Sequence, residues 1–420
     1  MISRELYDAI GFFTEEKRIM PCMAVACGVE KPFSGKPVRG VLEDEPDGQR
    51  DAFYAFRGQI RDGVAAGPDT LFDLASVTKL FTGLTLMKLI EDGRLDPDRE
   101  LTAYAPEFPG LRGIPVSRVM GFQVPLQTPG RVDEQPDRAQ ALRCLRQVTV
   151  AEKRPLRDYS DMHAMLLKYV AEHICGKPFY EIIRESILEP LGMRETFAAV
   201  PAERKKHCAL YDREHRIIGE TYQLREGSPQ GSPHDPKAQL LSPWGEDLCG
   251  HAGLFSTLND LSRFCRGVLA GHVVSRESLR KMAENRTGAR RADGSWSQFL
   301  GLQCYVRHPD QYYSEVPCYM TRQAIAIGGF TGNHVSMDPE TGAWAVFLGN
   351  RVQNRLTMLT PSPGKTFTDY GLAEDGTGSV CWPDGTVVLS SVNYVHHKDR
   401  QLHEPIRRLL GLRKIAFEEA

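Results

Sequence analysis

Ser76 and Lys79 stand three residues apart where a helix is expected to begin, in the stretch LFDLASVTKLFTGLTLMKLI from Leu71 to Ile90. Residues at i and i+3 share a helix face, so the spacing brings a hydroxyl and an amine within reach of each other. A serine hydroxyl becomes an effective nucleophile when a neighbouring base takes its proton, and a lysine is such a base only if burial lowers its pKa from about 10.4 toward neutrality. Leu80, Phe81, Leu84, Met87 and Leu89 recur at roughly helical spacing, and Gly93 falls where a C-terminal cap belongs. The helix therefore has an apolar side on which that burial can occur. The same pair also admits a plain reading, in which Ser76 merely opens the helix.

S-x-x-K recurs twice more. Ser278 and Lys281 lie in the charged segment SRESLRKMAENR, which reads as a surface helix with both groups solvated. Ser362 and Lys365 lie in TPSPGKT, where Pro361, Pro363 and Gly364 oppose the helical turn that the pairing needs. Ser76 alone has an apolar helix behind it.

The elements that must position this pair can be read around it. With 420 residues and 41% hydrophobic content the chain can bury a large core and divide into two lobes. Residues 3–17 read as a helix and Cys22 to Gly28 as a buried strand. Gly28 to Asp51 reads as a loop, and a second strand is expected near Phe53 to Arg57. Helical patterns dominate from Ser76 to about residue 290, interrupted by Pro/Gly-rich loops near 105–137 and 227–247. DYSDMHAMLLKYVAEHICG, residues 158–176, is a strong helix with Ser160 or Asp161 as its cap, Gly176 at its stop and Tyr159 at its mouth. Gln323 to Ile327 and Ala343 to Leu348 read as strands, and Asp338-Pro339-Glu340-Thr341-Gly342 reads as a hairpin turn. A further hairpin turns at Asp384-Gly385, and Glu404 to Leu412 reads as a last amphipathic helix. The expected organisation is an α/β domain from residues 1–70 and 296–420, with a mainly helical domain of residues 71–295 carrying Ser76.

Composition narrows the function. Fifty-two basic against 54 acidic residues give a net charge of −2 with no basic run, which argues against nucleic acid. Glu5, Asp8, Glu15 and Glu16 interrupt the first residues, so no signal peptide is expected, and no window suits a membrane span. Ten cysteines are scattered without a C-x-x-C pair, as expected for reduced thiols in the cytoplasm. There is no H-E-x-x-H, and Gly364-Lys365-Thr366 lacks the earlier glycine of a phosphate loop; neither a metal nor a cofactor is expected. The absence of G-x-S-x-G removes the nucleophile-elbow hydrolases.

Four stretches occur in the order and approximate spacing of one family: LFDLASVTKLFTGL, DYSDMHAMLLKYV, CGHAGLFSTLNDLSRF and GGFTGNHVSMDPETGAWAVFLGNR. Together they cover most of residues 65–350, and the chain resembles the β-lactamase-like serine hydrolases, the family of class C β-lactamases, D-alanyl carboxypeptidases and related esterases. The resemblance implies an antiparallel sheet flanked by helices, a mainly helical domain and an active site between them. It also implies that Ser76 is acylated, that Lys79 is its proton partner and that Tyr159 relays a proton to the leaving group. By the same resemblance the backbone N–H groups of Ser76 and Phe330 form the oxyanion hole, supported by Gly328, Gly329 and Thr331. The residue-level alternative for Tyr159 is a core tyrosine with a satisfied hydroxyl.

Two positions depart from the family pattern. Asp161 stands where Y-x-N has asparagine, and a carboxylate there would favour the ammonium form of Lys79. Ile327-Gly328-Gly329 replaces K-T-G or H-T-G, removing the cation that helps penicillin-recognising relatives hold a substrate carboxylate. His334, Arg322 and Arg351 are near in sequence but read as solvated loop or strand-end residues, and His251 as a loop-fixing histidine. The expected activity is that of a serine hydrolase on a small ester or amide. β-Lactamase or D-amino-acid peptidase activity, acyl transfer, and a binding protein without turnover are the alternatives.

Overall fold

Strict alternation of side chains builds the central sheet and gives it two apolar faces. In the strand Cys22–Val29, Cys22, Ala24 and Ala26 face one core while Met23, Val25 and Cys27 face another. Ala343–Gly349 repeats the pattern, with Trp344, Val346 and Leu348 on the first face and Ala345 and Phe347 on the second. A strand buried on both sides needs cover on both sides. Helices Thr78–Glu91 and Leu258–Leu269 cover the first face; Arg4–Gly11 and Glu404–Leu409 cover the second.

The computed structural model describes residues 1–30, 52–152, 157–226, 228–242 and 247–418. Most of the loop expected from Gly28 to Asp51 lies outside the described residues. The sheet has seven strands in the order Tyr305–Val306, Ile325–Gly329, Asn333–Met337, Ala343–Gly349, Cys22–Val29, Ala52–Arg61 and Val64–Ala65. Every pairing in it is antiparallel. The Asp338 turn forms as expected: Gly342 N–H donates to the Asp338 carbonyl at 2.9 Å. Gly342 has a φ of 74°, and a Cβ on it would lie 1.7 Å from the Glu30 carbonyl oxygen, so no other residue fits. Among the described residues no helix is long and apolar enough to cross a membrane.

A second, five-stranded sheet departs from the sequence reading. Its order is Ser379–Cys381, Val387–Ser390, Arg355–Thr360, Arg213–Ile218 and Thr221–Glu226. The hairpin of residues 213–226 falls where helical patterns were expected to dominate. Its alternation was hidden because a charged residue, Glu214, is buried along with His215 and Ile217. The expected loop near 227–247 likewise contains a short helix, Pro236–Leu241, opened by Asp235, whose carboxylate accepts from the Ala238 N–H.

Candidate active site

Residues just before Ser76 are clamped from three sides. Phe72–Asp73 pairs with Phe255–Ser256 of the CGHAGLF segment, and Leu74 N–H donates to the Leu254 carbonyl at 2.8 Å. The buried Asp73 carboxylate accepts from Ala75 N–H at 2.9 Å and from His234 N–H at 2.7 Å; burial raises its pKa to about 6. This holds Ala75 at a φ of 46°, a conformation that costs a non-glycine residue free energy and survives only where its surroundings enforce it. Ser76 follows in a single tight turn, Ala75–Val77, and the helix Thr78–Glu91 continues from it.

That geometry brings the predicted pair together. Lys79 is fully buried, and its Nζ lies 2.9 Å from Ser76 Oγ. The Nζ also donates to Asp161 Oδ1 at 2.8 Å and to the His251 carbonyl at 3.3 Å. Burial lowers the Lys79 pKa, and the Asp161 charge opposes that shift without reversing it. His251 is buried and bonds Asp235 at 3.0 Å, so it fixes this wall as the sequence suggested.

Tyr159 reaches the same point from the residues just before the helix Asp161–Cys175. Its ring is sandwiched between Phe122 and Tyr305, with both centroid distances 5.4 Å, and it lines the same cleft as Ser76. Lys79 Nζ is 4.8 Å from the ring centroid. Burial, and then the Asp161 charge, push the phenol well above its usual range, so it keeps its proton. Ser160 caps this helix by accepting from Met162 N–H, which leaves Asp161 free of capping duty.

Phe330 completes the group. The strand Ile325–Gly329 ends so close to the Ser76 turn that a Cβ on Gly329 would sit 2.7 Å from the Leu74 carbonyl oxygen. Thr331 Oγ1 and Asn333 Nδ2 each donate to the Asp73 carbonyl at 2.7 Å, tying the Phe330 segment to the residues before the nucleophile. Gly328 lies in the same strand, with the Glu315 carboxylate 3.5 Å from its notional Cβ. Ser76, Tyr159, Asp161 and Phe330 line one cleft of about 730 Å³.

The side chain at position 327 does not enter this cleft: Ile327 is fully buried and packs in the core. Neither His334 nor Arg351 is solvated, contrary to expectation. His334 is buried beneath the sheet against Glu315 and Lys398. Arg351 is buried and braces Phe330, donating to its carbonyl at 2.7 Å with its guanidinium 4.7 Å from the ring centroid. Arg322 lies over Phe417, lining a different cavity.

Sequence reasoning missed Lys237, Asp235 and Glu214. Lys237 donates to Asp161 Oδ2 at 3.1 Å and contacts Asp235 at 3.3 Å, so Asp161 lies between the amino groups of Lys79 and Lys237. Asp161, Asp235 and His251 offer ligand atoms within 4.8 Å of one another, a spacing that a metal could use. Lys237 pairs with both carboxylates and His251 with Asp235, so the donor set does not call for a metal.

A hydroxyl, a buried amine and a protonated phenol gathered beside the end of the strand Ile325–Gly329 are the groups of a serine hydrolase. The chain belongs to the Beta-lactamase family, whose model matches residues 44–359, and it is a serine hydrolase of that family. It is 29% identical over 238 residues to an Escherichia coli K12 protein provisionally named a D-alanyl-D-alanine carboxypeptidase, covering 50% of this chain and 52% of that one. A protein of the same name from E. coli O157:H7 is 28% identical over 324 residues, 69% of this chain and 70% of the relative. Among solved structures, EstCE1, a hydrolase with promiscuous acyltransferase activity, superposes with a TM-score of 0.61 at 17% identity, covering 83% of this chain and 93% of that one. D-Amino acid amidase from Ochrobactrum anthropi SV3 superposes with a TM-score of 0.58 at 18% identity, over 96% and 99% of the two chains.

Asp161→Asn is expected to move the acidic limb of the kcat/KM profile to lower pH. Asp161 stabilises the Lys79 ammonium, so removing its charge lets the amine deprotonate at lower pH. Lys237, left with Asp235 alone, adds repulsion of the same sign. An unmoved limb in a folded, active variant would mean that Lys79 is not the group titrating there.

Proposed function

We propose that the protein cleaves a small ester or amide through a covalent acyl-enzyme on Ser76. Lys79 takes the hydroxyl proton, Tyr159 relays a proton from Lys79 to the departing group and ends protonated as it began, and the N–H groups of Ser76 and Phe330 hold the oxyanion. The observation that carries this reading is the fully buried Lys79 amine 2.9 Å from Ser76 Oγ. A lysine desolvated this way spends more of its time as the free amine, the form that can accept a proton. Backbone donors aimed at a developing oxyanion contribute ~3 kcal/mol each to the transition state. The scattered cysteines support a cytoplasmic setting, with a small acyl compound as the partner.

The relatives' names favour a second reading, a D-amino-acid peptidase or β-lactamase; the buried Ile327 stands against it, because it takes the place of the cation those relatives carry and no other residue of that strand is cationic. The test is a comparison of kcat/KM for 4-nitrophenyl acetate and butyrate with that for a chromogenic cephalosporin. The esters are expected to be the better substrates. A cephalosporin that outran every ester would transfer the assignment to the second reading.

A further inference from the structure

The hairpin of residues 213–226 brings Arg216 and Arg225 to the wall of the Ser76 cleft. Both are anchored on one carboxylate. Glu214, which has no exposed side-chain surface, binds Arg216 Nε at 2.7 Å and Nη2 at 3.1 Å, Arg225 Nη1 at 3.2 Å and His234 Nε2 at 3.1 Å. Thr357 Oγ1 also donates to it, at 2.5 Å. The lone pairs of Glu214 are thus used inside the protein, and it stays ionised because these partners outweigh its burial.

Two guanidinium groups share that single negative charge, which leaves one positive charge unbalanced on the cleft wall. The other cations lining the cleft differ. Arg131 is paired with Asp133 and Glu134, and Lys237 with Asp161 and Asp235. Arg157 is a further exposed cation, 5.1 Å from the Tyr159 ring centroid. Arg216 and Arg225 keep 22% and 33% of their side-chain surface exposed. Among the described residues Arg216 Nη1 and Arg225 Nε and Nη2 have no hydrogen-bond partner. The Arg216 guanidinium also lies 5.6 Å from the ring centroid of Phe330, the proposed oxyanion residue. Guanidinium groups held rigid by an internal carboxylate lose little freedom when they bind a ligand, and their planar fork matches a carboxylate.

We propose that Arg216 and Arg225 form a carboxylate-binding subsite, and that the physiological substrate is an acyl compound bearing a carboxylate away from the bond that is cleaved. This rests on the hydrolase reading above and specifies its substrate class. The two arginines stand on the hairpin, not on the strand that carries residue 327. They therefore call for an anion at a different point from the one a β-lactam presents three bonds from its scissile carbonyl.

The test uses the whole protein and three esters. These are neutral 4-nitrophenyl butyrate, the mono-4-nitrophenyl ester of glutaric acid, with its carboxylate on the acyl chain, and the butyrate ester of 5-hydroxy-2-nitrobenzoic acid, with its carboxylate on the leaving group. At least one charged ester is expected to exceed the neutral one in kcat/KM by about tenfold or more, the worth of a charge-assisted hydrogen bond. That ratio should fall to near one in Arg216→Gln/Arg225→Gln and be partly kept in Arg225→Lys. Because Arg216 also packs on Phe330, Arg225→Gln alone is measured beside the double variant, and a several-fold drop in the ratio is expected from it. If neither charged ester is preferred, or the preference survives both variants, the subsite is refuted while turnover of the neutral ester leaves the hydrolase reading standing. If no ester is turned over and Ser76 takes up no acylating probe, the hydrolase reading falls and the subsite with it.

Discussion

Replacing Lys79 by alanine is expected to lower kcat by about 10²- to 10⁴-fold with little change in KM, because a general base works in the transition state and contributes little to ground-state binding. The amine is the single buried base within hydrogen-bonding distance of Ser76 Oγ among the described residues, and the phenol on the other side holds its proton. The variant should still fold, since Lys237 at 3.1 Å remains to pair with Asp161. Lys79→Arg separates the base from a mere positive charge: a guanidinium restores the charge but does not give up a proton in this range, so it should rescue nothing. A kcat within tenfold of the parent in a folded Lys79→Ala protein would remove lysine from the mechanism.

Much of the site was legible because the sequence expresses it locally. Ser76 and Lys79 meet through helical spacing alone, and the apolar residues that follow them announce the burial that lowers the amine's pKa. Tyr159 and Phe330 are separated from Ser76 by 83 and 254 positions, and only the ordered family motifs linked them. The helix cap illustrates the limit: Ser160 and Asp161 are both good caps on paper, and the choice was decided by Lys79, a residue of another helix. Long-range pairing hid the rest. Glu214 reads as one more charge in a charged segment until the hairpin buries it beneath two arginines and a histidine. Arg351 reads as a strand-end cation until its stacking on Phe330 is seen. Lys237 sits in a stretch whose prolines and glycines suggest a loop, with nothing local to point toward Asp161.

Ser76→Ala is expected to abolish both ester turnover and covalent labelling, because neither other S-x-x-K serine is equipped to react. Ser278 is buried, contrary to the solvated helix expected, and its hydroxyl is committed to Glu91, while Lys281 pairs with Glu277 at 2.8 Å. Ser362 Oγ donates to Glu220 at 2.8 Å, and the same carboxylate takes Lys365 at 2.9 Å, so an acid stands between hydroxyl and amine. A carboxylate acceptor without a desolvated base does not raise serine reactivity as the buried Lys79 does. The most direct measurement is intact mass after exposure to a fluorophosphonate probe, followed by peptide mapping of the adduct. One probe per chain is predicted, on Ser76, with none in Ser76→Ala; an adduct that persists in Ser76→Ala, or that maps to another residue of the parent protein, would contradict a nucleophile at Ser76.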